Sequence, residues 1–280
     1  MRLFLRINVY LLISLIVASC TSGGDLSNRR TLARDVAAVA NLEPGEMDGG
    51  LFRFMSWQHI EQPGSAANIY IEGDGLAWKS RSRPSLNPTP RNPVGLRLAA
   101  KDPATNVIYL ARPCQYIRGK RAGPCDFPYW TDKRFAPEII DDYMGIIDSL
   151  KAQYDIREIH LVGFSGGANI AALLAARRTD VKSLRTVAGN LDHEALNRLH
   201  GVSLMPGSLN AAREAFKLKD LAQIHFIGGK DKIVTKDIHK SYARAMGASI
   251  CNRAYIIPGA SHTTGWEASW PALLKQEFSC

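Results

Sequence analysis

One run of the chain constrains its fold more than any other. From Ile159 to Asn169 an apolar, β-branched stretch meets Gly163-Phe164-Ser165-Gly166-Gly167 and passes directly into an Ala-rich segment with helical character. A sharp, strained strand-to-helix turn needs small residues two before and two after its apex, so that strand and helix can pass closely. Gly163 and Gly167 meet that need, and Ser165 is lifted above the sheet. Ser165 would also open a helix, whose free N–H groups and positive dipole end favour a developing anion. Gly-x-Ser-x-Gly alone also describes ordinary turns, and its flanks give it weight.

A serine hydroxyl is a poor nucleophile until a positioned base takes its proton. Among seven histidines, His262 stands in Pro258-Gly259-Ala260-Ser261-His262, after the last strand expected and before the final helix. His160 and His225 fall inside expected strands, and His59, His193, His200 and His239 are expected on the surface. A carboxylate is then needed to fix the tautomer of the imidazole and stabilise its charged form. Gly228-Gly229-Lys230-Asp231 supplies Asp231 after the preceding strand, where glycines let it turn inward. Asp192, after Leu184 to Ala188, competes for that role, whereas Asp237 lies too far into the following helix.

Around this constellation, short apolar runs alternate with helical patterns, the signature of βα units on a largely parallel sheet. Strands are expected at Phe52–Trp57, Ile69–Glu72, Val107–Leu110, Ile159–Gly163, Leu184–Ala188, Ile224–Ile227 and Ala254–Ile257. Helices are expected at Pro93–Lys101, Ala136–Tyr154, Gly166–Arg178, Leu209–Lys219, Lys236–Met246 and Gly265–Lys275. The 280 residues, 46% apolar and 22% charged, suit one α/β catalytic domain over 29–280 with a real core. There is no internal repeat. Residues 79–93 and 111–134 read as long loops beyond strand ends, where an open α/β sheet builds its site.

The turns at 163–167, 228–231 and 259–262, in the chain order serine, acid, histidine, resemble those of the α/β-hydrolase superfamily, over about residues 50–275. The resemblance implies a mostly parallel sheet flanked by helices, and acyl transfer to water through an acyl-enzyme with neither metal nor organic cofactor. It implies Ser165 as nucleophile, His262 as base and Asp231 as the orienting acid. It also implies an oxyanion hole, with one donor the backbone N–H of Gly166. The second is expected in Glu72-Gly73-Asp74-Gly75, where Glu72-Gly73 stands in place of the His-Gly of many relatives. Asp74 N–H is the reading preferred, with Gly73 and Gly75 as alternatives, and the Asp74 carboxylate is given no proton-transfer role. No insertion between Leu184 and Ile224 is long enough for a large cap domain. The substrate expected is a small-molecule or lipid carboxylic ester; thioesterases, peptidases and acyltransferases share the machinery, and a non-catalytic binding protein on the same scaffold is the reading from another class.

Trp78, Tyr116, Phe127, Tyr129 and Trp130 are candidates either for the pocket wall or for the core. Arg112, Arg118, Lys120 and Arg121 are candidates to meet an anionic substrate or lipid headgroup, or else form a solvated loop.

The N-terminus differs in character. Arg2 and Arg6 precede an apolar stretch from Ile7 to Ala18, and Val17-Ala18-Ser19-Cys20 resembles a bacterial lipobox, so residues 1–19 read as a signal peptide and Cys20 as the lipidated residue. Some twelve apolar residues are short for a bilayer span of roughly twenty; plain secretion and an uncleaved anchor remain the other readings. Residues 20–28 are small and polar, as a flexible tether would be. A lipid anchor implies a membrane partner and a cell-envelope location facing the periplasm or exterior. In such an oxidising compartment Cys114, Cys125, Cys251 and Cys280 are even in number and read as two disulfides. Three pairings are possible, with Cys114–Cys125 and Cys251–Cys280 preferred, and the spacings match no zinc site. The net charge of +9, or +7 without Arg2 and Arg6, suits an anionic surface and, lacking a nucleic-acid motif, gives no reason to expect DNA or RNA.

Overall fold

The computed structural model describes residues 21–277 and 280, so the expected signal peptide and Cys20 lie outside the described residues. An eight-stranded sheet runs through the molecule in the order β1-β2-β6-β3-β7-β8-β9-β10, with a two-stranded ribbon β4-β5 beside it. The strands are β1 (Glu43–Asp48), β2 (Arg53–Ile60), β3 (Ala67–Ile71), β4 (Trp78–Ser80), β5 (Arg83–Pro84), β6 (Asn106–Leu110), β7 (Ile159–Phe164), β8 (Val181–Val187), β9 (Ala222–Gly228) and β10 (Asn252–Ile257). β2 pairs antiparallel with β1 and β6, and from β6 to β10 all neighbours are parallel.

Helices cover both faces: α1 (Thr21–Ala38), α2 (Val94–Ala99), α3 (Pro137–Tyr154), α4 (Gly166–Ala175), α5 (His193–His200), α6 (Lys236–Met246) and α7 (Trp270–Leu273). Alternation along the strands splits the interior in two. Ile69, Ile71, Ile108, Leu110 and Leu161 pack in one core with α3 and α4, while Tyr70, Val107, Tyr109, Val162 and Phe164 pack in the other with α1 and α2. This period of two, apolar on both sides, is what a sheet buried on both faces requires. In α3, with Pro137 at its start, Ile139, Ile140, Tyr143, Ile146, Ile147 and Leu150 recur at helical spacing and bury one stripe.

Several expectations are corrected. Residues 21–28, expected as a tether, form the first turns of α1. Asp25 and Arg29 pair one turn apart, Arg29 also donates to the carbonyl of Thr89, and Ala33 and Ala37 are buried against the sheet, so tertiary contacts hold a segment whose small polar residues suggested none. Leu209–Lys219 is a 3₁₀ segment, Ala211–Leu218, and Gly265–Lys275 is helical only at Trp270–Leu273. β1, α5 and the β4-β5 ribbon were not expected; Glu-Pro-Gly-Glu-Met-Asp in β1 carries no strand pattern because it is a largely exposed edge that alternates nothing apolar.

Candidate active site

Strand β7 ends at Phe164 and α4 begins at Gly166, leaving Ser165 at φ 50° and ψ −118°. A left-handed φ is strained for a residue with a Cβ and is retained only where surroundings enforce it. Here they do: Ser165 N–H donates to Val187 O, and Ser165 O accepts from Ala168 and Asn190 N–H. A Cβ on Gly163 would stand 2.4 Å from Ala168 Cα, and one on Gly167 would stand 2.2 Å from Ile71 O, so no larger residue fits either position.

Two loops at the C-terminal ends of β9 and β10 bring the partners. Gly229 N–H donates to Ile257 O, and Lys230 N–H donates to Ala260 O, stitching the acid loop to the histidine loop at 2.8 Å each. Trp266 Nε1 donates to Ser261 O at 2.8 Å and reaches His262 O at 3.1 Å, fixing the backbone on which the imidazole rides. The outcome is a continuous relay. Ser165 Oγ lies 2.9 Å from His262 Nε2, and His262 Nδ1 lies 2.8 Å from Asp231 Oδ2. The other carboxylate oxygen of Asp231 accepts from Ile233 and Val234 N–H at 2.7 and 2.9 Å, and the side chain is fully buried. With Asp231 accepting from Nδ1–H, Nε2 is left as an acceptor for the serine proton.

The rival residues are otherwise engaged. Asp192 caps α5 through Ala195 N–H, accepts from Asn210 and Ser241, and so ties α5 to neighbouring elements. Asp237 pairs with Lys240 on the surface. His160 bonds to Ser183 and His225 to Thr186 within the sheet. His193 and His239, expected on the surface, are instead buried and half-buried: His193 stacks on Phe135, and His239 bonds to Asn252. Burial disfavours the imidazolium and pulls both below the ordinary histidine value.

The loop after β3 closes the other side of the serine. Ile71 is in register with Gly163, and a Cβ on Gly73 would stand 3.2 Å from Ser165 Cβ. Gly73 N–H donates to Glu72 Oε1 at 2.9 Å, which removes it from the candidates for the second donor and leaves Asp74 or Gly75. Glu72, 1% exposed, also accepts from Gly95, Leu96 and the Tyr109 hydroxyl, joining the loop to α2 and β6. Burial raises its pKa above the usual carboxylate value, and these hydrogen bonds only partly offset that.

Asp74 carries a surprise that no local pattern encodes. Its carboxylate lies against Gly166, where a Cβ would stand 2.0 Å from Oδ1, and it is clamped by Arg112 Nη1 at 2.8 Å and Arg134 Nη1 at 2.7 Å. Burial opposes ionisation, but the Arg134 and Arg112 guanidiniums outweigh it and hold Asp74 below the ordinary aspartate value. Arg112, a candidate for an exposed cation, is thus buried, donates to Arg134 O as well, and lies over the Phe135 ring. Sequence reading did not single out Arg134; its only signal is a position at the end of a long loop. Tyr129 and Trp130 border a small cavity with this cluster, whereas Tyr116 is buried against Trp57, Trp78 is exposed, and Phe127 is exposed with its ring edge-on to Trp130. The cysteines pair as Cys114–Cys125 and Cys251–Cys280, with Cα separations of 5.4 and 4.3 Å.

No family model and no curated protein sequence matches the chain. Solved structures do. An esterase of Pyrococcus furiosus superposes with a TM-score of 0.60 at 13% identity, covering 86% of this chain and 92% of its own. An α/β serine hydrolase of Xanthomonas campestris, described as having no lid, gives 0.53 at 14% identity over 85% and 95%. The acylaminoacyl peptidase of Pyrococcus horikoshii gives 0.59 at 13% identity over 84% of this chain and 40% of its own. The fold is that of the α/β hydrolases. At such identities the likeness carries the fold and not the substrate.

Proposed function

We propose that this chain is a serine hydrolase that cleaves carboxylic esters through an acyl-enzyme. The observation that carries the reading is the unbroken relay from Ser165 Oγ through His262 to the buried Asp231 carboxylate, on a serine held at a strained apex. Ser165 Oγ attacks the ester carbonyl as His262 Nε2 takes its proton. Asp231 holds the imidazole in the required tautomer and stabilises its cation. The oxyanion is met by the N–H of Gly166 and of Asp74, each such donor contributing roughly 3 to 4 kcal/mol to the transition state. His262 returns the proton to the departing alkoxide, which leaves as alcohol. A water, deprotonated by the same imidazole, then attacks the acyl-enzyme, and His262 hands that proton to the departing Ser165 Oγ as the acid is released. No step needs a metal or an organic cofactor.

The test is hydrolysis of an ester series graded in acyl length, together with fluorophosphonate labelling. Wild type is expected to turn over part of the series and to label, and Ser165→Ala to abolish labelling and lower turnover by about a million-fold, as in the best-studied triads. Equal, residual turnover by both proteins, with no labelling of a folded wild type, sinks the reading in favour of a binding protein. The proposal extends to location: residues 1–19 direct export and Cys20 carries the lipid that holds the enzyme to the cell envelope. Cys20→Ala is expected to move the protein from the membrane to the soluble fraction.

A further inference from the structure

A concavity of about 530 Å³ lies between α1, the β1-β2 edge of the sheet and the loop after β6, and shares no lining residue with the Ser165 site. Arg30, Arg34, Arg118 and Arg121 ring it, and Met55 and Trp57 contribute apolar wall. Among the described residues that line it, Glu46 is the only acid, and it is paired with Arg121. Arg30 and Arg118 are held by uncharged acceptors. Arg30 Nε donates to Tyr116 O at 2.6 Å, and Arg118 Nη2 donates to Leu86 O at 2.7 Å; both acceptors are uncharged backbone carbonyls. Arg118 is pulled below the ordinary arginine value by partial burial and by repulsion from Arg29 and Arg30, which the nearby Asp25 only partly offsets. Four guanidiniums thus line one hollow with a single carboxylate among them, and a bound anion would balance that excess of positive charge.

The chemistry of the wall narrows the anion. Planar guanidiniums offer paired N–H donors that match phosphate oxygens, and the aromatic and thioether side chains suit methylene groups beside them. The position of α1 supplies the source. It begins at Thr21, the residue after the one proposed to carry lipid, and at 1.5 Å per residue Leu26 and Arg34 of the lining stand roughly 8 to 20 Å along the helix from Thr21. We propose that this concavity binds the phosphate of an anionic phospholipid headgroup, with the arginines on the phosphate and Met55 and Trp57 against the glycerol. Only the source of the lipid rests on the envelope reading, and the site itself is independent of the chemistry at Ser165.

The test is calorimetric titration of the full chain, in non-ionic detergent, with glycerophosphoglycerol, glycerophosphocholine and inorganic phosphate. Saturable binding of glycerophosphoglycerol is expected, weaker for glycerophosphocholine because its choline cation meets the arginines. Paired Arg34→Glu and Arg118→Glu substitutions are expected to weaken it at least tenfold with circular dichroism and melting unchanged. Single Arg34→Ala, at an exposed position, is the milder control should the pair disturb folding, with a smaller loss in the same direction. Ser165→Ala is expected to bind as wild type does, so loss of esterase activity and loss of this site are told apart. Absence of saturable binding, or binding indifferent to the arginine substitutions, overturns the site; inorganic phosphate binding as tightly as the headgroup overturns the phospholipid source.

Discussion

The two sides of Ser165 are built on different physics. On the side of β9 and β10, two adjacent turns bond to one another through backbone groups, and the buried Asp231 is satisfied by one imidazole and two amides. On the side of β3, the loop at 72–75 is held by side chains from afar: Asp74 by Arg112 and Arg134, and Glu72 by α2 and Tyr109. The first side is two neighbouring turns joined mainly through backbone amides around a single carboxylate; the second is a cluster of two carboxylates and two guanidiniums drawn from separate loops. Substitutions on the first side should therefore act on the rate, and on the second side on stability as well.

The largest separation is expected from Asp231→Asn. Asparagine keeps a carbonyl oxygen for the Ile233 and Val234 amides but leaves His262 in the wrong tautomer. Turnover should fall about 10⁴-fold, the loss seen for the corresponding change in a well-studied triad, while the urea midpoint moves little. A loss under tenfold would break the first half of the comparison, because the carboxylate would then not be orienting the base. Arg112→Ala is the counterpart. It removes one of two guanidiniums from a largely buried carboxylate, and stripping a partner from a fully buried ion pair costs about 3 to 5 kcal/mol. With Arg134 still in place the lower end, about 3 kcal/mol, is expected in urea unfolding, along with a change in turnover far smaller than that of Asp231→Asn. Unchanged stability would mean that the cluster does not hold the loop.

The same contrast explains what the sequence made legible. Ser165, Asp231 and His262 each follow a strand in a turn with glycine close by, so local spacing pointed to them, and the mostly parallel sheet followed from short apolar runs between helical patterns. Arg134 and the partners of Glu72 were not legible, because an ion pair between distant loops leaves no periodic trace. Edge strand β1 escaped for the opposite reason: being largely exposed, it needs no apolar alternation. The first turns of α1 escaped because their order comes from Arg29 reaching the 87–89 segment, a contact that composition cannot report.

Of the two disulfides, one sits on the charged side and the other at the opposite end of β10 from the histidine turn. Cys251–Cys280 closes a separation of 29 residues from the start of β10, and Cys114–Cys125 closes 11 in the loop that carries Arg112 at its start. Loop-closure entropy gives about 3.6 kcal/mol for the longer and about 2.8 kcal/mol for the shorter. Paired Cys→Ser variants are expected to lose stability in that order. Turnover should fall in the Cys114/Cys125 variant before any loss of fold, since that loop feeds the charge cluster. The reverse order of destabilisation would place the main constraint in native-state packing rather than in the unfolded chain.

The smallest effect, and the most diagnostic of the charged side, is its dependence on pH. Glu72 and Asp74 flank Gly73 and are shifted in opposite directions. Asp74 is depressed on folding, so the native state binds fewer protons than the unfolded chain near its titration. Its contribution is complete above the ordinary aspartate value, about 3.9, and is lost as pH falls through the lower, folded value. Glu72 is raised, so the native state holds its proton longer than the unfolded chain does. Its contribution is complete below the ordinary glutamate value, about 4.3, and declines as pH rises through the higher, folded value. Asp74→Asn should therefore flatten the loss of stability below about pH 4, and Glu72→Gln should flatten the decline above it, with urea unfolding across pH 2 to 8 as the measurement. If both substitutions alter the same limb of the profile, the two carboxylates are not in the opposite electrostatic settings described, and the charged side of the site would have to be regarded as packing alone.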